Sequence, residues 1–159
     1  MNLYIMRHGI ALERGEWRGT DELRPLSEDG KSRTAEVVKA LLKSGKLKVD
    51  TIWTSPLVRA RQTAGIVAKS LGLEVELSAA LVPGADVQGL ALEFVARKRP
   101  RNLLVVGHEP DCGELVTELT GDREVDHAFK KAGVALLEGS LEAGRMKLLW
   151  HVAPKDVLA

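Results

Sequence analysis

Three short segments of this chain carry side chains suited to phosphoryl chemistry, each directly after an apolar run. The first is Arg7-His8-Gly9, which follows Leu3-Tyr4-Ile5-Met6 without a gap. An arginine presents a planar fork of donors matched to phosphate oxygens. A neutral imidazole beside it is a competent nucleophile, and a glycine lets the backbone turn where a substrate must come close. The second is Arg59, in the first turn of a helix that follows Ser55-Pro56; the helix N-terminus there adds positive potential. The third is His108, followed by Glu109 and by Pro110, which opens another helix whose N-terminus is expected to face the same anion. In such a set the arginines neutralise the non-bridging oxygens and one imidazole attacks phosphorus in line. Water then hydrolyses the resulting phosphohistidine. The second imidazole, when protonated, stabilises the equatorial oxygens as charge builds. This chemistry requires no metal and no organic cofactor.

Other features narrow the alternatives. Histidines stand at 8, 108, 127 and 151 and the one cysteine at 112, so no pair has the close spacing of a zinc site and no intrachain disulfide can form. His151 alternates along a terminal strand, as structural or surface residues do, and His127 lies in a polar stretch where solvation is expected. Cys112 falls on an apolar helical stripe and is expected to be buried and inert. Arg61 points roughly opposite to Arg59 at about 100° per residue and reads as a surface charge. Lys plus Arg total 23 against 22 acidic residues, a formal net charge of +1. That balance, and a basic run (Arg97-Lys98-Arg99-Pro100-Arg101) without interleaved aromatics, argues against a nucleic-acid or membrane partner. The first apolar strand starts too early to leave room for a cleaved signal peptide, and no run approaches a membrane span of roughly 20 residues. A single domain over 1–159, monomeric and cytoplasmic, is expected.

Strand and helix patterns alternate with short connections, which predicts a three-layer α/β sandwich with a mostly parallel central sheet flanked by helices. Strands are expected at 2–7, 50–54, 74–77 and 102–107, with a closing hairpin at 132–138 and 145–152. Helices are expected at 28–44, capped by Ser27, and at 57–71, entered after Pro56 and ended at Gly72. Two more begin near Val87 and after Pro110. The apolar stripe of the 57–71 helix is Leu57, Ala60, Ala64, Val67, Ala68 and Leu71. If the strands are parallel neighbours, Arg7-His8, Arg59 and His108 converge at their carboxyl ends, where open α/β sheets bind ligands. Residues 9–26 form a long aperiodic connection at that same end, a length that usually signals function.

Met6-Arg7-His8-Gly9, the segment Ser55–Ala64 and Gly107-His108 resemble the histidine phosphatase superfamily, which includes phosphoglycerate mutases. The short chain, Arg24-Pro25-Leu26-Ser27 followed by Gly30, and Gly107-His108-Glu109-Pro110 are similar to its SixA-type phosphohistidine phosphatases. The resemblance implies a phosphoglycerate mutase-like fold, His8 as nucleophile, and Arg7, Arg59 and His108 as phosphate ligands. It also brings Gly9 and Arg24 close to substrate, although a surface salt bridge explains Arg24 equally well. Trp17 either covers the site or packs the long loop down.

Larger family members place an acid before the third helix to protonate an alcohol leaving group. Here that segment is Leu81-Val82-Pro83-Gly84-Ala85-Asp86. Asp86 is its sole acid and could equally be a helix N-cap; Glu109 and Glu13 are other candidate proton carriers. An alkoxide leaves poorly without a proton, whereas imidazole, titrating near 6.5, leaves far more easily. A weak or missing acid therefore favours phosphohistidine on a protein partner over a small phosphate monoester. A module that binds a phosphoprotein without turning it over is the remaining alternative, and it would not need a nucleophilic histidine.

Overall fold

The computed structural model describes residues 1–158. A mixed six-stranded sheet forms its middle layer, built from β1 (Asn2–Arg7), β2 (Thr51–Thr54), β3 (Val75–Leu77), β4 (Asn102–Gly107), β5 (Val134–Gly139) and β6 (Met146–Val152), in the order β3-β2-β4-β1-β5-β6. The first four are mutually parallel, β5 runs antiparallel to β1, and β6 runs antiparallel to β5. This is the mostly parallel α/β sandwich expected. Element bounds agree with expectation to within a residue or two: the first two helices are α1 (Glu28–Lys43) and α2 (Val58–Leu71).

Alternation along the strands makes the layers. Leu3, Ile5, Trp53, Leu103 and Val105 face one side, where α3 (Val87–Ala96) and α4 (Asp111–Thr120) cover them with Val87, Leu90, Leu115, Val116 and Leu119. Tyr4, Met6, Ile52, Leu104 and Val106 face the other, against Val37, Val38 and Leu41 of α1 and Ala60, Ala64 and Val67 of α2. A terminal turn, α5 (Pro154–Val157), adds to the second side.

Register decides where the chemistry lands. In the β1–β4 pairing Arg7 lies opposite Gly107, so His8 and His108 are the next residues beyond the two strands. In the β2–β4 pairing Thr54 lies opposite Val106, and the Ser55 amide extends the ladder to the Val106 carbonyl at 3.0 Å. Further backbone bonds from the His8 amide to the Gly107 carbonyl and from the Ala132 amide to the His8 carbonyl, both 3.1 Å, fix His8 between β4 and the segment entering β5.

Two glycines are required by close approach. A Cβ on Gly30 would lie 1.9 Å from the Ile10 carbonyl oxygen, so only glycine lets the start of α1 seat on the chain leaving β1. A Cβ on Gly9 would lie 2.3 Å from Thr34 Oγ1 of α1. The role expected for Gly9 was a sharp turn; what the packing requires is room for α1.

Candidate active site

The four principal side chains come together, each held by different elements. His8 and His108 are buried, with ring centroids 5.4 Å apart at an interplanar angle of 55°. His8 Nδ1 lies 2.7 Å from the carbonyl oxygen of Gly9. A carbonyl can only accept, so in the neutral ring the proton sits on Nδ1 and the lone pair on Nε2. Burial, reinforced by His108, Arg59 and Arg7, pulls the His8 pKa down to about 3 against the raising effect of the Gly9 bond, so the ring is neutral near pH 7.

His108 Nε2 lies 2.8 Å from Ser55 Oγ, while its Nδ1 is buried with no hydrogen-bond partner among the described residues. Burial and then the Arg59 charge lower its pKa to about 4, against raising effects from Asp111 and Asp21. The second imidazole is therefore neutral in the unliganded protein, so the protonated form that would stabilise the equatorial oxygens is not its resting state. An incoming phosphoryl dianion, by opposite charge, raises this pKa.

Arg7 donates from Nη1 to the Phe129 carbonyl at 2.8 Å, and its Nε is buried without a partner among the described residues. Arg59, buried in the first turn of α2, donates from Nη1 to the Asp21 carbonyl at 2.8 Å and from Nη2 to Asp21 Oδ2 at 3.1 Å; its Nε is likewise unpartnered. Three unsatisfied buried nitrogens thus fall on three residues of one pocket, Arg7, Arg59 and His108. Buried polar atoms are nearly always paired, so such a cluster marks a place built for a polar ligand.

The remaining candidates are engaged within the protein. The Gly9 amide donates to Thr63 Oγ1 at 3.0 Å, and Thr63 Oγ1 in turn donates to the Arg59 carbonyl at 2.8 Å. Arg24 donates from Nε to Asp21 Oδ1 at 3.0 Å and from Nη1 to the Leu12 carbonyl at 2.8 Å, so the salt-bridge reading describes its contacts. Asp86 is exposed and caps α3, its Oδ1 accepting from the Gly89 amide at 2.8 Å. Glu109 Oε1 accepts from the Gly113 amide at 2.8 Å, which occupies the α4 N-terminus and leaves it less available to an anion than expected. Its carboxyl pKa is raised, mainly by burial. Glu13 is exposed, and Trp17 packs within the loop through a 2.8 Å bond to the Thr20 carbonyl.

His127 departs from expectation: it is buried, not solvated. Gly113 explains this, since a Cβ there would come within 3.2 Å of the His127 carbonyl, so its absence lets residues 127–128 lie flat on α4. His151 stacks at 4.1 Å on Phe129, the residue whose carbonyl holds Arg7. Arg61 is exposed, and Cys112 is buried with its thiol pKa pushed up by desolvation. No group of three or more metal-ligating side chains occurs among the described residues, and none of their helices is long and apolar enough to cross a membrane.

Sequence reasoning assigned no role to Ser55, Thr63, Asp21 or Asp111. Asp111 is buried and accepts from the Gly84 and Ala85 amides at 2.8 and 3.2 Å, fastening the segment before α3. Two of these had a legible signal. Asp21 stands three residues before Arg24 and Thr63 four after Arg59, spacings that bring side chains together on one turn.

Comparison with known proteins agrees with this geometry. Residues 3–119 match the model of the histidine phosphatase superfamily, branch 1. An uncharacterised protein of Picosynechococcus is 38% identical over 156 residues, covering 95% of this chain and 90% of that one. The phosphohistidine phosphatase SixA of Escherichia coli is 31% identical over 160 residues, covering 97% and 94%. A solved structure of the protein histidine phosphatase SixA with tungstate superposes with a TM-score of 0.82 at 29% identity, over 98% of this chain and 99% of that one. The chain belongs to the histidine phosphatase superfamily, branch 1, as a phosphatase similar to SixA along nearly its whole length.

Proposed function

We propose that this protein hydrolyses phosphohistidine on a protein partner through a covalent phosphohistidine intermediate on its own His8. The observation that carries the reading is the 2.7 Å bond from His8 Nδ1 to the Gly9 carbonyl, which leaves Nε2 with a free lone pair on a ring kept neutral by burial. Nε2 attacks phosphorus, a P–N bond forms, and the P–N bond to the substrate imidazole breaks as that nitrogen takes a proton from solvent. Water then attacks the same phosphorus, releasing inorganic phosphate and regenerating neutral His8. Arg7, Arg59 and the Nδ1 edge of His108 receive the non-bridging oxygens.

The substrate class follows from the leaving group. The Asp86 carboxylate caps α3 through Oδ1, a contact that favours its ionised form over a proton donor, so the segment before α3 is poorly equipped to protonate an alkoxide. Departing imidazole needs little help, because it protonates near neutral pH. A protein side chain rather than a small ester is the better match, and a lone buried thiol fits a reducing, cytoplasmic setting. One observation favours a monoester instead: the raised carboxyl pKa of Glu109, which would suit a proton donor.

The deciding experiment measures phosphate release by wild type and His8→Ala, with chelator present, from a phosphohistidine protein and a panel of monoesters. Fast His8-dependent release from phosphohistidine, with acid-labile label trapped on the enzyme, is expected. Faster release from a monoester would overturn the substrate assignment and direct attention to Glu109. Retained phosphoprotein binding with no release from any substrate would leave a binding module.

A further inference from the structure

We propose that Ser55 is a positioning residue that fixes the tautomer of His108, holding its single proton on Nδ1 so that the ring donates to the phosphoryl group. The inference rests on the phosphatase reading of the pocket and concerns how its second histidine is prepared. Ser55 is fully buried, and its amide is bound to the Val106 carbonyl at 3.0 Å, so it cannot drift relative to the strand end that carries His108. Its hydroxyl has two partners. The Leu57 amide lies 3.3 Å away and can only donate, so Oγ accepts there. His108 Nε2 lies 2.8 Å away and is the one acceptor offered to the hydroxyl proton among the described residues. The hydroxyl therefore donates to Nε2, Nε2 uses its lone pair, and the neutral ring carries its proton on Nδ1.

That assignment matters because His108 has only one proton to give while it is neutral. On Nε2 the proton would point at Ser55, and a bare Nδ1 lone pair would repel a phosphoryl oxygen. On Nδ1 it makes a buried donor without an acceptor among the described residues, a costly state that a bound phosphoryl oxygen relieves. His8 is prepared in the opposite sense. There a carbonyl holds the proton away from the reacting nitrogen; here a hydroxyl holds the lone pair away from the donating one. Two neutral imidazoles with centroids 5.4 Å apart thereby take different roles, one nucleophile and one donor.

The test begins with the wild-type, unliganded protein. In long-range proton–nitrogen spectra of protein labelled with 15N-histidine, assigned with His108→Gln, the His108 Nδ1 is expected to be pyrrole-like and Nε2 pyridine-like at pH 7.5. The reverse pattern overturns the proposal, and no variant has to fold for that to be read. In Ser55→Ala, checked for folding by circular dichroism, both tautomers are expected. The kcat/KM for phosphohistidine should fall about 10- to 100-fold, and inhibition by orthovanadate, a trigonal-bipyramidal mimic, should weaken in proportion. A folded Ser55→Ala protein with an unchanged tautomer or unchanged vanadate inhibition overturns it. Absence of His8-dependent turnover would instead sink the phosphatase reading, leaving the tautomer measurement intact.

Discussion

The pocket is built from two halves with different physics. On the sheet side, His8, His108 and Ser55 sit one residue beyond three adjacent parallel strands, are buried, and are tied by backbone ladders and short neutral hydrogen bonds. On the loop side, Asp21 and Arg24 hang on the connection between β1 and α1 and act through ion pairs, with the Asp21 side chain 46% exposed. Arg59 joins them: its backbone belongs to buried α2 and its guanidinium end to the loop. Strand register cannot shift by a fraction of a residue, so the sheet half holds reacting groups in place. Exposed ion pairs are weak and screened by salt, so the loop half can adjust affinity but is poorly suited to fix geometry.

The largest effect should therefore come from the sheet half. His8→Ala removes the nucleophile, and turnover of phosphohistidine is expected to fall by about 10⁴-fold or more while phosphate still binds to Arg7 and Arg59. Single-turnover phosphate release with equilibrium phosphate binding measured beside it checks both. Residual turnover within tenfold of wild type would break the comparison at its root.

Arg59 tests the junction. Arg59→Lys keeps one positive charge but cannot span the Asp21 carbonyl and carboxylate while also meeting a phosphoryl oxygen. A loss of about 100-fold in kcat/KM is expected, largely in kcat. A loss confined to KM would mean that Arg59 supplies attraction alone and belongs functionally to the loop half.

The sheet half also predicts an acid sensitivity. Both histidines have folded pKa values, about 3 and about 4, below the unfolded value near 6.5. As pH falls the unfolded chain takes up these protons first, so stability is full above about pH 6.5 and is lost progressively toward pH 4 and below. Denaturant midpoints at pH 7, 6, 5 and 4 should trace this fall, and His8→Gln should flatten the slope by up to about one proton across that window. Phosphate should oppose the loss by raising the His108 pKa. A slope unchanged in His8→Gln would mean the ring is not held neutral.

Legibility in the sequence followed the same division. Arg7, His8, Arg59 and His108 were readable because each directly follows a strand or opens a helix, and parallel pairing brings such ends together. Ser55 lay inside the same motif, yet nothing in its type distinguishes a tautomer-setting hydroxyl from an ordinary turn serine; only the 2.8 Å contact does. His127 was misread because a polar neighbourhood hides a burial that depends on a missing Cβ at Gly113. The protonation state of His108 stayed open in the sequence because burial, which lowers a histidine pKa, is a property of the packed layers and not of the motif. The engagement of Arg59 by Asp21 needed the loop's path, and aperiodic segments give no periodicity from which to infer one.

The smallest expected effect is the most discriminating between the halves. Asp21 accepts from Arg24 through Oδ1 and from Arg59 through Oδ2, and the Arg24 bond in particular holds its carboxyl below the usual range. Asp21→Asn removes the negative charge but leaves the backbone carbonyl that receives Arg59 Nη1 at 2.8 Å. The buried guanidinium should then keep its orientation while losing a competing anion. KM for phosphohistidine is expected to fall about two- to fivefold, kcat to change less, and the difference from wild type to shrink as salt rises from low to physiological strength. Steady-state kinetics at two salt concentrations reads all three. A rise in KM together with a fall in kcat would mean that the ion pairs order Arg59 after all, and that the loop shares in holding the geometry assigned here to the strands.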